Sequence, residues 1–212
     1  MIRFNKRAFS VAALLAAAVV MASTLAGCAS TKVDRVDPGK KTDYSGYWND
    51  TDVRLVAKSV ISAFNSSAAV KRYPKEHGGK VPTVIIGSYK NASDEHIDTR
   101  ILTDCLQAEL LEDENVRFVA QKEDRSEVRE ERNDQQENAR AETRSKLKYE
   151  TGADYMMQGS IRTIVESTDN GKKTARTYYV VTELIDIETN EILWKNDNRE
   201  IKKIITRSGS RK

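Results

Sequence analysis

Residues 152–204 constrain the fold more than any other stretch. Two strand-type runs follow one another there, GADYMMQGSIRTIVES and ARTYYVVTELIDIETNEILWKNDNREIKKI. Both are rich in β-branched and aromatic residues, which favour a pleated, half-buried surface. The second run reads as a long hairpin with ETNE as its turn. Asn190 stands there at the position that needs a left-handed backbone, which asparagine tolerates. Gly152 stops whatever helix precedes the first run.

Upstream, the periodicity alternates. WNDTDVRLVAKSVISAF places Val53, Val56, Ala57, Val60, Ile61 and Phe64 on one helical stripe. Asn49 or Asp50 can cap it, Asp52 suits the helix dipole, and Trp48 can staple its start. KRYPKEHGGK reads as a loop and VPTVIIGSY as a central strand. SDEHIDTRILTDCLQAELLED reads as a second helix capped by Ser93 or Asp94, with Ile97, Ile101, Leu102, Cys105 and Leu106 on its apolar face. VRFVA, 116–120, is a further strand. This order predicts an α/β domain in two or three layers: a mixed β-sheet with a C-terminal hairpin, packed by helices.

One segment does not fit a core. In 121–150, QKEDRSEVREERNDQQENARAETRSKLKYE, seventeen of thirty residues are charged and five are apolar. Projected as a helix, Glu123, Glu127, Glu130, Glu131 and Asp134 gather on one side, with Lys122, Arg125, Arg129 and Arg132 nearly opposite. Like charges four apart oppose a helix mildly, so contacts elsewhere must offset that cost. Two readings stand: a solvated helix touching the domain through Val128 and Ala139, or a charged stripe (Arg125, Arg129, Arg132) that steers a protein partner.

The N-terminus has its own logic. MIRFNKR is basic, AFSVAALLAAAVVMA is apolar, and STLAGC ends in small residues before a cysteine. That layout is a secretory signal, and L-A-G-C resembles the bacterial lipobox. The resemblance implies cleavage between Gly27 and Cys28, with lipid carried by Cys28; several acyl chains on one residue make a stable membrane anchor. Ala29 after the cysteine implies the outer membrane. The expected organisation is a signal peptide over 1–27, a flexible tether over 28–46, a domain over 47–206 and a basic tail over 207–212. The tether, about 20 residues up to Trp48, reaches at most roughly 70 Å when extended.

Composition and motifs exclude several functions. The chain holds 35 Lys and Arg against 32 Asp and Glu. Arg3, Lys6 and Arg7 of the leader account for the excess of three, so the remaining chain is balanced and offers no footprint for nucleic acid. No phosphate-binding loop, nucleophile elbow, zinc-protease motif or paired-cysteine motif occurs. His77 lies in a glycine-flanked loop and His96 in the expected first turn of the second helix, neither at metal-ligand spacing. Cys105 reads as a small buried hydrophobe. No catalytic residue, metal ligand or cofactor is expected.

With lipobox, tether, WNDTD before an amphipathic helix, ETRSKLKYETGADYMMQGSI and DIETNEILW in that order, the chain resembles the LpoB family of penicillin-binding-protein activator lipoproteins. Related periplasmic domains of the CsgG type and the N-terminal domain of TolB share the strand–hairpin pattern. The resemblance implies an α/β domain of this TolB- and CsgG-related kind. It also implies a non-enzymatic outer-membrane lipoprotein that docks on a class A penicillin-binding protein and stimulates peptidoglycan synthesis. The alternative, a structural or accessory lipoprotein of an envelope secretion complex, would need further membrane-spanning strands. The KNDNRE interruption in the long alternating stretch argues against them.

Overall fold

The computed structural model describes residues 32–207 except 38, 42, 113, 148, 169 and 170. They fall in two units, one ending at Lys40 and the other beginning at Lys41. In the first, Lys32 pairs with Asp34 at 3.0 Å, and Asp37 accepts from the Gly39 N–H at 2.8 Å in a short turn.

The second unit opens with helix α1, Asp50–Asn65. Asn49 caps it as the sequence predicts: its side chain accepts from the Thr51 and Asp52 N–H groups, while Asp52 returns to the Asn49 N–H. Such a reciprocal box satisfies donors the first turn would otherwise leave unpaired. Helix α2, Ala68–Glu76, follows, capped by Ser67. The sequence predicts a loop over 71–80, a stretch that holds Pro74, Gly78 and Gly79. The helix forms regardless, burying Ala69, Val70 and Tyr73, and it ends at His77 just before Gly78, whose φ is 63°. Packing outweighs the proline penalty here.

Strand β1, Thr83–Ala92, leads to helix α3, Thr99–Leu111. This helix starts later than the sequence suggests. Asp98, not Ser93 or Asp94, is its cap, and His96 precedes it. Asn91 and Ser93 bond each other and the Glu95 carbonyl, and the Asp94 and Glu95 side chains are drawn to Arg176. The buried face is Leu102, Thr103, Leu106 and Leu110; Ile101 is exposed and Cys105 only half-buried. The remaining elements are β2 (Arg117–Phe118), α4 (Lys122–Asn138), β3 (Tyr155–Ser167), β4 (Lys173–Asp186), β5 (Ile192–Asn198) and β6 (Lys202–Thr206).

The strands form one mixed sheet in the order β2-β1-β3-β4-β5, with β6 also on β4. β1 runs parallel to β2 and β3; β4 runs antiparallel to β3, β5 and β6. The mixed α/β architecture is therefore the expected one. The single hairpin over 175–205 is corrected in one respect: its return strand is broken at Arg199–Ile201. Val180 faces Asn198 while Thr177 faces Lys202. Three steps on one side thus oppose four on the other, a bulge that bends the strand. Asn190 is left-handed, φ 63°, as its turn requires.

Along β4, Arg176, Tyr178, Val180, Thr182 and Leu184 are buried and the residues between them are half-buried. α1 and α3 pack on each other, α3 packs on β1, and α1 and α2 pack on β5. The helices thus cover one sheet face, giving two layers. Phe64 meets Trp194 edge-on at 5.8 Å between centroids, and Leu102, Leu106, Met157, Ile161 and Leu184 are fully buried. Each such side chain stabilises the fold by about 1.5–3 kcal/mol. Gly159 is required by close approach: a Cβ there would strike the Val181 carbonyl oxygen and the Tyr89 ring.

Candidate partner-binding site

Two clusters of charged side chains stand out in the second unit. The first is buried. Arg176 stands at a helix-facing position of β4 and donates to Asp94 at 2.7 Å and Glu95 at 2.6 Å, beneath the Tyr47 ring. Glu95 also accepts from the Tyr178 hydroxyl and, at 2.9 Å, from the Trp48 N–H. Burial and the neighbouring Glu95 push the Tyr178 hydroxyl well up, so it stays a donor. Burial pulls Arg176 down, but Asp94 and Glu95 outweigh it and hold the guanidinium charged.

Lys203 of β6 continues this network. Its ammonium meets Asp52 at 2.6 Å, Asp43 at 2.8 Å and the Tyr47 carbonyl at 2.8 Å. Burial raises the Asp52 carboxyl against the opposing pull of Lys203. The Lys203 hydrogen bond holds the Asp43 carboxyl below its ordinary range. Gly46 lies against Ile205, whose side chain a Cβ there would strike. Residues 43–48, most of which the sequence reading assigned to the tether, are thereby strapped across β6 and the start of α1. Trp48 packs on Tyr178 at 5.2 Å.

Beside the strap lies a cleft of about 570 Å³. Trp48, Val53, Ile97 and the exposed Ile101 form its apolar lining, and His96 and several carboxylates lie around it. Those carboxylates are engaged: Asp50 with Arg54, Asp94 and Glu95 with Arg176, and Asp98 with the Arg100 N–H. A cleft with apolar walls and neutralised acids suits a small apolar anchor from another chain.

The second cluster is the arm, α4 with its return over 139–150. α4 buries no residue at all. Val128, expected to touch the domain, is 52% exposed, so that expectation is corrected. Ion pairs and hydrogen bonds hold the arm instead. Arg100 reaches Asp124 at 3.6 Å, and the return segment bonds α4 through Ser145, with Gln135 and Gln136 as partners. The three arginines singled out from sequence converge on one carboxylate. Arg129 donates twice to Glu150, at 2.8 and 2.7 Å, with Arg125 at 3.8 Å and Arg132 at 3.6 Å. The bidentate Arg129 contact, chiefly, lowers the Glu150 carboxyl to about 2.

Other residues singled out from sequence do not join these clusters. His77 stacks on Tyr73 at 3.8 Å between centroids and its ring meets the Tyr73 carbonyl. Burial raises the Cys105 thiol, with Asp104 adding to it, which disfavours a reactive thiolate. Among the described residues no group of three or more His, Cys, Asp or Glu could hold a metal, and no helix is long and apolar enough to cross a membrane. Gly27 and Cys28 lie outside the described residues, as does the tail beyond Arg207. The strap residues were not read from sequence. Their signal is Arg176, an inward charge on a strand whose other buried residues are uncharged, and such a charge demands a buried partner.

Fold and clusters define a class: a two-layer α/β domain carrying a polar helical arm and an N-terminal strap. Within it, the family model described as "Peptidoglycan-synthase activator LpoB" matches residues 52–200, and the chain belongs to that family. Among solved structures, the LpoB C-terminal domain from Salmonella enterica is 15% identical with a TM-score of 0.32, covering 68% of this chain and 98% of that one. LpoB from Escherichia coli is 15% identical with a TM-score of 0.34, covering 85% and 83%. Lipoprotein GNA1162 from Neisseria meningitidis is 18% identical with a TM-score of 0.36, covering 61% and 88%. No curated protein sequence matches the chain.

Proposed function

We propose that this chain is an outer-membrane lipoprotein, anchored through acylated Cys28 and facing the periplasm. It binds a class A penicillin-binding protein and activates it, regulating peptidoglycan synthesis without catalysis of its own. The observation that carries this reading is the activator-family match from Asp52 to Glu200, which takes in α1 from its first turn, the arm and the whole sheet as far as β5. The basic, apolar, L-A-G-C leader supports the anchor. An activator works by binding the active conformation of its enzyme more tightly than the resting one.

The strap affects reach. Asp43 is held by Lys203, so only the chain from Cys28 to Asp43 spans from lipid to domain, at most roughly 50 Å when extended. The rest of the distance falls to the domain's own length and to the partner. The test is glycan polymerisation by a purified class A synthase from the same cell, with and without this protein. A rate increase is expected. An unchanged rate, or cell-wall chemistry by the protein alone, would overturn the reading.

A further inference from the structure

The arm has no place in the core, yet it is built with care. A seventeen-residue helix that buries nothing stabilises no packed interface. Opposite its acidic face it carries the Arg125–Arg129–Arg132 stripe. Three guanidinium groups share the single Glu150 carboxylate, leaving an excess of two positive charges. Only Arg129 has good hydrogen-bond geometry. Arg125 and Arg132 stand beyond 3.5 Å, and the buried Arg125 Nε has no acceptor among the described residues. The stripe therefore holds donor capacity that one carboxylate does not fill.

What surrounds the stripe suits a protein. Tyr149, next to Glu150, is fully exposed, and Leu147 and Val128 are more than half exposed. Arginine and tyrosine with a few apolar neighbours make up the residues that dominate protein–protein contacts. The return segment is also easy to exchange, being held by exposed ion pairs and the few bonds around Ser145.

We propose that the Arg125–Arg129–Arg132 stripe is a docking site for an acidic segment of the protein partner, and that Glu150 is a built-in occupant displaced on docking. The proposal rests on the reading of this chain as a protein-binding activator. Its chemistry is that of the present occupant: carboxylates received by a row of guanidinium forks. A segment bringing two or more carboxylates satisfies the unfilled donors, whereas Glu150 supplies one. Glu150 is tethered at high effective concentration, so it competes with the partner and lowers its apparent affinity.

The test uses the full chain and two probes, a fluorescent hexaglutamate peptide and the purified class A synthase. E150Q is expected to bind hexaglutamate about threefold or more tightly than wild type, since the competitor is gone. The triple variant R125Q/R129Q/R132Q is expected to bind at least about tenfold more weakly, with the salt dependence of binding flattened. A merely structural Glu150 predicts the opposite sign, because loosening the arm would weaken binding. Weaker or unchanged binding by E150Q would overturn the proposal. So would a wild-type chain that ignores hexaglutamate, or a triple variant that still binds the synthase at full strength. Failure of wild type to bind the synthase while hexaglutamate results stand would instead sink the functional reading. Light scattering covers the remaining occupant: self-association lost in the triple variant, with hexaglutamate ignored, would show the stripe receives a second copy. Circular dichroism confirms that each variant is folded.

Discussion

The two charged clusters use the same chemistry in opposite surroundings. In the strap, the Arg176 and Glu95 side chains are each 9% exposed, and Asp52 4%. In the arm, Glu150 is 29% and Arg129 48% exposed. A buried ion is costly to remove from water, so its partner becomes indispensable once it is there; an exposed pair is screened and contributes little. The strap cluster therefore fixes structure, setting where the tether ends and aligning Trp48, Tyr47 and the cleft. The arm cluster is free to trade partners. Burial, not charge, divides the two networks in this molecule.

The largest break in the comparison should come from R176M. It strands Glu95 in a buried site and leaves the Tyr178 hydroxyl and Trp48 N–H on an unneutralised carboxylate. A loss of about 3–5 kcal/mol in urea unfolding is expected. A loss below that of an exposed pair would mean the cluster is wetter than its burial indicates.

K203M should rank second, near the lower end of that range at neutral pH. Its loss should also depend on pH. With the ammonium gone, burial raises the already elevated Asp52 carboxyl further. A carboxyl raised in the folded state binds its proton more tightly there than in the unfolded chain. The penalty is therefore greatest above that raised value and is relieved as pH falls through it. Unfolding curves from neutral to mildly acidic pH should show K203M converging on wild type. D52N in the same background should remove both the penalty and its pH dependence.

The arm should answer acid in the other direction. Glu150 is depressed from the ordinary 4.5 to about 2, chiefly by Arg129. Its contribution is whole above the ordinary value and lost as pH falls from there toward 2. Hydrogen exchange at the Ser145 N–H, which donates to Gln135, and at its neighbours in the return should accelerate over that window while the sheet stays protected. Simultaneous exposure of sheet and arm would erase the distinction between the clusters.

Much of this was legible in the chain, and the exceptions share a cause. Helix α1, its Asn49 cap and the left-handed Asn190 follow from local rules, because their partners are a few residues away. The mixed sheet follows from the order of strands and helices. What escaped was decided at long range. Residues 71–76 are helical because Tyr73 has a core to enter. α3 starts late because Asp94 and Glu95 answer Arg176, more than eighty residues on. The strap exists because Lys203 finds Asp43 and Asp52. The arginine stripe was visible from helical periodicity, but its occupant was not. Glu150 lies beyond the end of α4, in a stretch whose charge pattern read simply as more helix.

The smallest expected effect is the most telling. E150Q removes the carboxylate on which three arginines converge, and by pair counting it should rank among the costlier substitutions. It should instead leave the midpoint of cooperative unfolding where it was. α4 buries no residue, so fraying it exposes no apolar surface that the unfolded chain would not also expose. Arg129, which holds Glu150 most closely, is half exposed and solvated enough to remain charged without a partner. What changes is local: three like charges along one helical face repel, and hydrogen exchange in α4 and its return should quicken. A shifted unfolding midpoint would show that the arm is part of the cooperative core, and then the stripe could not exchange Glu150 for a partner without loosening the domain that carries it.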